Sequence, residues 1–317
     1  MKHTKEASHM GYALRTFGIS KKYKNRFAVR EANINISEGD IYGFVGENGS
    51  GKTTVIRLIT GLIHADAGDF ELFGTKSTSP AITEARKKIG AIVESPSIYR
   101  NMSAMDNLRL QCTIFGLENT EEKAFEALKS VGLEYLKDEK KGAGDFSLGM
   151  RQRLGIAMAL IGDPRFIILD EPMNGLDPAG IVEIRELILK LNRENGITFL
   201  ISSHILTELS LVATKYGIIS KGNIIKEITA DELHDECGRF TLIRATDNAS
   251  LFSNAAALYG EDKVSYDRDS VKISGDIDLN ELFKRLIDAN NSILSVNCSE
   301  TSFEEYYLSL VGGIHHA

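Results

Sequence analysis

The sequence has no apolar run long enough to cross a bilayer. Its longest apolar stretches, such as Phe166 to Leu169 and Gly155 to Ile161, fall far short of the ~20 residues that a spanning helix needs. The first ten residues mix Lys, His and Glu where a secretory leader needs an apolar centre, so export of the chain is not expected, and residues 1–12 are expected to be disordered. Cysteine is scarce. Cys112, Cys237 and Cys298 are scattered and odd in number, which fits neither a disulfide framework nor metal-ligand spacing and points to a reducing cytoplasm. Positive charge is short as well: the formal net charge is −7, and it is unevenly spread. Residues 1–230 carry 30 Lys+Arg against 28 Asp+Glu, whereas residues 231–317 carry 7 against 16. That acidic end lacks the clustered cations that a phosphate backbone requires, so nucleic acid is not an expected partner.

What is present is ample. With 317 residues, 43% of them hydrophobic, the chain can bury one large core and a smaller second one. From Leu14 to Ile41 short alternating runs separated by basic residues read as antiparallel strands. Asp40 to Val45 is a compact apolar strand, followed by a glycine-rich turn and a helix-length run from Thr53 to Thr60 that stops at Gly61. Residues 97–141 read as helical, with Ser103 and Thr120 as N-caps. Arg165–Asp170 and Ile197–Ser202 are short continuous apolar strands of the kind buried in parallel sheets. After Gly222 the order becomes β-α-β-β-α-β, which suggests a small ferredoxin-like sandwich. The expected organisation is an α/β unit over residues 13–230, with a helical subdomain at about 97–165, and an accessory α+β module over 231–317.

The segment Gly46-Glu47-Asn48-Gly49-Ser50-Gly51-Lys52-Thr53, continued by Thr54, fits G-x-x-x-x-G-K-[ST] and lies between the strand and helix that this motif requires. Its glycines let successive backbone N–H groups point at phosphates, at a helix N-terminus whose dipole favours anions. Lys52 would neutralise the β- and γ-phosphates of ATP, and Thr53 would offer its hydroxyl to Mg²⁺. Phe166 to Leu169 then delivers Asp170 and Glu171 at the C-terminal end of a strand, where open α/β sheets place ligands. Asp170 would hold Mg²⁺ through water, and Glu171 would orient or deprotonate the attacking water.

At this point the chain resembles the ABC ATPases. Phe146-Ser147-Leu148-Gly149-Met150-Arg151-Gln152 is similar to that family's signature, usually L-S-G-G-Q, with Leu148 and Met150 departing from the common form. The resemblance implies that Ser147, Leu148, Gly149 and Met150 act in trans on the γ-phosphate held by an opposing subunit. Asp177, in Asn174-Gly175-Leu176-Asp177-Pro178, resembles the D-loop, and His204 resembles the switch histidine that contacts the γ-phosphate. Tyr23 sits where the family places an aromatic against adenine, with Phe17 and Phe27 nearby. Glu94 stands where the family usually has Gln, in a loop that reaches Mg²⁺ and the membrane partner. A glutamate there can bind the metal or simply face solvent.

Glu94 and the S-L-G-M-R-Q-R form of the signature are similar to ATPases of bacterial exporters that protect producers of lantibiotics or bacitracin. The implied fold is a P-loop NTPase of ABC type with an antiparallel β subdomain, a helical subdomain and the small C-terminal module. The implied function is an ATP-hydrolysing motor that uses ATP and Mg²⁺ on the cytoplasmic face of the cell membrane. With one P-loop and one signature per chain, a second ATPase subunit is implied, as a homodimer, together with integral membrane permease subunits. An importer, drug or lipid transporter ATPase, or a soluble ABC protein acting on ribosomes or DNA, are the competing readings.

Overall fold

The computed structural model describes residues 11–312 apart from Asp276. It divides into two compact units, one ending at Ala230 and the other starting at Asp231. The disorder expected for residues 1–12 falls outside the described residues up to Met10, whereas Tyr12 already opens the first strand and pairs with Ser37.

In the first unit, β1 (Tyr12–Tyr23), β2 (Arg26–Ala32) and β3 (Asn35–Ser37) precede β4 (Ile41–Val45) and α1 (Lys52–Thr60). β5 (Ala67–Leu72) and β6 (Thr75–Lys76) return to the first three strands. Together they form an antiparallel sheet of order β2-β1-β5-β6, with β3 also on β1. α2 (Ile82–Arg86) and β7 (Ile89–Ile92) lead into a helical block of α3 (Ala104–Ile114), α4 (Thr120–Ser130) and α5 (Leu148–Leu160). Then come β8 (Phe166–Asp170), α6 (Pro178–Asn195), β9 (Thr198–Ser203), α7 (Leu206–Ser210), β10 (Lys215–Ser220) and β11 (Asn223–Thr229).

The second sheet runs β11-β10-β4-β9-β8-β7 and is parallel except for β11. β4, β8 and β9 are buried at every position, which is why their centres read as apolar runs. Val55, Ile56, Leu58 and Ile59 of α1, and Ile184, Leu187, Ile188 and Leu191 of α6, are buried at helical spacing. Each such side chain contributes about 1.5–3 kcal/mol. Local chemistry sets the ends of α6: Asp177 accepts from the Gly180 N–H at 3.1 Å, Pro178 fills the first turn, and Gly196 closes the helix at φ 66°.

One expectation for the helical block needs correction. Ser103 caps α3, but the N-cap of α4 is Asn119, at φ 54°, and Thr120 is its first helical residue. Gly116 (φ 67°) and Gly132 (φ 69°) adopt the left-handed conformation that ends a helix, after α3 and α4 respectively.

At the end of the sheet where β4 begins, a buried polar network joins β3, β4, β10 and β11. The fully buried Tyr42 hydroxyl donates to Glu227 Oε1 at 2.9 Å, and Asn35 donates to both Glu227 oxygens, from N at 2.9 Å and Nδ2 at 2.8 Å. Lys215 Nζ lies 3.7 Å from Glu227 and donates to the Asn35 carbonyl at 2.7 Å. Burial, next to the Glu227 charge, pushes the Tyr42 phenol well above its ordinary value and keeps it neutral. Gly217 admits this tyrosine, since a Cβ there would lie 1.9 Å from the phenolic oxygen.

The second unit contains α8 (Ala230–Cys237, starting one residue before it), β12 (Arg239–Ala245), α9 (Asn248–Tyr259), β13 (Val264–Asp267), β14 (Ser270–Ser274), α10 (Leu279–Asp288), β15 (Ile293–Glu300) and α11 (Phe303–Gly312). The antiparallel order β13-β14-β12-β15 is the ferredoxin-like arrangement. Its core is formed by Ile243, Leu251, Val271, Ile273, Leu282 and Leu286 among others. Helices α8 and α11, on either side of the β-α-β-β-α-β run, are additions to the sequence-based expectation.

Candidate active site

Parallel register decides what meets what. Val45 lies opposite Ser203, and Asp170 opposite Ser202, so β4, β9 and β8 release their loops side by side at one edge of the sheet.

The loop after β4 wraps the N-terminus of α1. Gly46 is buried, and a Cβ there would lie 2.4 Å from the Ile219 carbonyl, so β10 leaves room only for glycine. Gly51 caps α1 at φ 117°, a conformation for which other residues are poorly suited. Glu47, Asn48 and Gly49 are exposed. Among the described residues the N–H groups of Gly51, Lys52, Thr53 and Thr54 find no acceptor in the chain, and the buried Ser50 hydroxyl has no partner. Four free N–H groups at a helix start and an orphaned hydroxyl are the donor set that an anionic phosphate chain satisfies. Lys52, only 6% exposed, donates to the carbonyls of Gly46 (2.6 Å) and Glu47 (3.3 Å) and lies 3.4 Å from Glu171 Oε1.

Asp170, 3% exposed, accepts at both carboxylate oxygens: from Thr53 Oγ1 at 2.9 Å and from Ser202 Oγ at 2.5 Å. A carboxylate and a threonine hydroxyl in contact are hard oxygen donors of the kind Mg²⁺ takes, so the residues present fit that ion. Glu171 sits at φ 51°, unusual for a side chain of this type, with its N–H donated to Ser202 Oγ at 3.0 Å. Its carboxylate lies between two cation-forming groups: Oε1 faces Lys52, and Oε2 accepts from His204 Nδ1 at 2.8 Å. That bond assigns the His204 proton to Nδ1, because a carboxylate only accepts. Ser202 is the residue that sequence reasoning missed as part of the site; its signal was two serines closing an otherwise apolar strand.

The structure brings Lys52, Thr53, Asp170, Glu171 and His204 together. Glu94 does not join them. Its carboxylate forms an ion pair with Arg57 on α1, and its backbone lies at φ 65°. Tyr23 ends β1, 47% exposed, with Lys21 Nζ 5.9 Å from its ring centre. Ser147 caps α5 by accepting from the Met150 N–H at 3.2 Å; Leu148 beside it is exposed, and a Cβ on Gly149 would meet only Leu176, at 3.9 Å. Asp177 is occupied as the cap of α6. Beside Glu94 lies a groove of about 580 Å³, lined by Ile92, Pro96, Leu110 and Met158 and by the exposed Tyr99 and Ile114.

The sequence profile of the ABC transporter family matches residues 29–174. The bacitracin transport ATP-binding protein BcrA of Bacillus licheniformis is 38% identical over 96% of this chain and 99% of its own length. The lantibiotic transport ATP-binding protein SrtF of Streptococcus pyogenes is 41% identical over 68% of this chain and 90% of its own. Among solved structures, cbiO1 from Clostridium perfringens, part of the cbiONQ complex, superposes with a TM-score of 0.65 at 27% identity over 71% of this chain and 92% of that one. The ATP-binding cassette MJ0796, in a dimeric post-hydrolysis state with ADP and Pi, gives 0.61 at 26% identity over 68% and 98%. No helix among the described residues is long and apolar enough to cross a membrane.

Proposed function

The chain belongs to the ABC transporter ATP-binding family, and on that premise we propose that it is the motor subunit of an exporter for a peptide antibiotic, acting as a pair of identical chains on separate membrane subunits. Peptide-antibiotic cargo is supported by two relatives: the bacitracin protein matches this chain through its C-terminal module, and the lantibiotic protein matches about two thirds of it.

The observation that carries the catalytic reading is the Glu171 carboxylate, held between Lys52 and His204 and next to Asp170. ATP is the substrate. Lys52 and the free N–H groups at the start of α1 bind its β- and γ-phosphates. Thr53 and Asp170 are the residues that would hold Mg²⁺, which when bound neutralises phosphate charge. Glu171 orients the attacking water and accepts its proton. His204 fixes that carboxylate through Nδ1, leaving Nε2 as the ring atom that faces the γ-phosphate. Tyr23 stacks on adenine.

Each site is completed in trans. The N-terminus of α5, with Ser147 and Gly149, presents a helix dipole and a close-approach surface to the γ-phosphate of the opposing copy, and Asp177 lies on the link between the two sites. Nucleotide made tighter by closure shifts the pair towards the closed form, and hydrolysis reopens it. The apolar groove beside Glu94 is the surface offered to the membrane subunits.

The test is affinity purification of Glu171→Gln from detergent-solubilised native membranes with ATP and Mg²⁺. Stoichiometric recovery of polytopic membrane proteins is the expected result. Recovery of only ribosomal or other soluble partners would overturn the exporter reading.

A further inference from the structure

The ion pair between Arg57 and Glu94 has no place in the chemistry described so far. Arg57 lies on α1, four residues after Thr53, so both side chains occupy one face of that helix, one turn or about 6 Å apart. Thr53 is bonded to Asp170 at 2.9 Å. The Glu94 carboxylate is therefore tied to a side chain that starts one helical turn beyond Thr53 on α1. It follows β7, whose last residue Ile92 pairs with Leu169, immediately before Asp170, so the loop leaves the sheet at the same edge as the site. Glu94 also adopts a left-handed backbone at φ 65°, a conformation that a non-glycine residue keeps only when its surroundings hold it there. A neutral glutamine could not form this ion pair; a glutamate can.

We propose that Arg57 is a positioning residue for Glu94: it holds the carboxylate on a side chain one turn of α1 beyond Thr53, and Glu94 must leave Arg57 to reach the Thr53–Asp170 pair. The inference rests on the reading of Glu94 as a Mg²⁺-reaching residue and adds the group that retains it. Both side chains are partly or largely exposed, so the hold is weak and reversible, worth about two- to five-fold in the position of the equilibrium. It is also screened by salt.

Two measurements on the full chain test this. The first is hydrogen exchange of the amides around Glu94 without nucleotide. Arg57→Gln and Glu94→Gln should each speed exchange about two- to five-fold, the double variant should add nothing further, and Arg57→Lys should restore much of the protection. The second is the Mg²⁺ concentration needed for half-maximal binding of a slowly hydrolysed ATP analogue. Arg57→Gln should lower it about two- to five-fold, and that effect should vanish when Glu94 is already Gln. Unchanged exchange in Arg57→Gln, or an Arg57 effect that persists undiminished in Glu94→Gln, overturns the proposal. If Glu94→Ala leaves the Mg²⁺ requirement unchanged, the metal-reaching reading of Glu94 fails, whatever the exchange shows, and the transfer proposed here fails with it.

Discussion

β4, β8 and β9 are buried at every residue, whereas no residue of β15, in the sheet of the second unit, is fully buried. Both sheets have apolar cores, but they dispose of polar groups differently. The first keeps β4, β8 and β9 almost free of charge and collects Asp170, Glu171, Lys52 and His204 at one edge, where each is fixed by a neighbour from another strand or helix. The second spreads its charge over the surface in exposed pairs such as Arg244–Asp269 and Arg239–Glu300. A catalytic edge needs rigid, dry supports on several sides; an exposed sheet with dispersed pairs offers none.

Changes at the first sheet's edge should therefore cost rate, and changes in the second sheet's core should cost stability of that unit alone. The largest effect is expected from Glu171→Gln: ATP turnover should fall about 10²- to 10⁴-fold with nucleotide affinity kept, checked by phosphate release beside a binding titration. Leu282→Ala, in the core of the second unit, should destabilise that unit by about 2–5 kcal/mol, read from its own unfolding transition, while ATPase activity of the folded protein stays near wild type. A loss of activity as large as that of Glu171→Gln would break the comparison. Gly217→Ala tests the first sheet away from its catalytic edge: the added methyl meets Tyr42, and a loss of about 1–3 kcal/mol is expected in denaturant titration, with the nucleotide affinity of the folded protein unchanged.

The smallest effect belongs to the surface of the helical block. The hydrogen bond from Arg109, at 2.6 Å, holds the Glu121 carboxyl below its ordinary value. A depressed carboxyl adds stability above its unfolded pKa of about 4.3, and the gain is lost as pH falls through the lower folded value. Glu121→Gln should thus lower the Tm by no more than about 2 °C at pH 7, with the difference fading below about pH 4.

The strand–glycine loop–helix of residues 41–60 was legible because each part constrains the next: a fully buried strand must be apolar, and the turn around Gly46 and Gly51 admits no side chain. The pair Asp170–Glu171 was legible as acids closing an apolar run. What sequence could not supply was lateral register, which is set between strands distant in the chain, so the two serines closing β9 stood out but not which of them meets Asp170. The cap of α4 was misplaced by one residue because Asn119 takes a left-handed backbone and makes no side-chain bond, leaving Thr120 as the more obvious cap in the sequence. Helix α8 escaped notice because it is short and buries only Leu233, whereas α11 carries apolar residues at helical spacing, Phe303, Tyr306, Tyr307, Leu310 and Val311, and was legible in principle. Glu94 was recognised as a departure, but its attachment to Arg57 depends on two segments meeting in space.

The interlock of Tyr42 with Gly217 has a consequence for sequence variation. Because the phenolic oxygen fills the space that a methyl at position 217 would take, the two positions are not free to drift independently. A lineage that first loses the aromatic ring at 42 gains room for alanine at 217, because the ring carbons Cζ and Cε1 would lie 2.6 and 2.8 Å from that methyl as well, while the reverse order passes through an overpacked intermediate. Among relatives, alanine at the second position should therefore travel with the loss of tyrosine at the first, a correlated pair that records the lateral contact of β4 with β10.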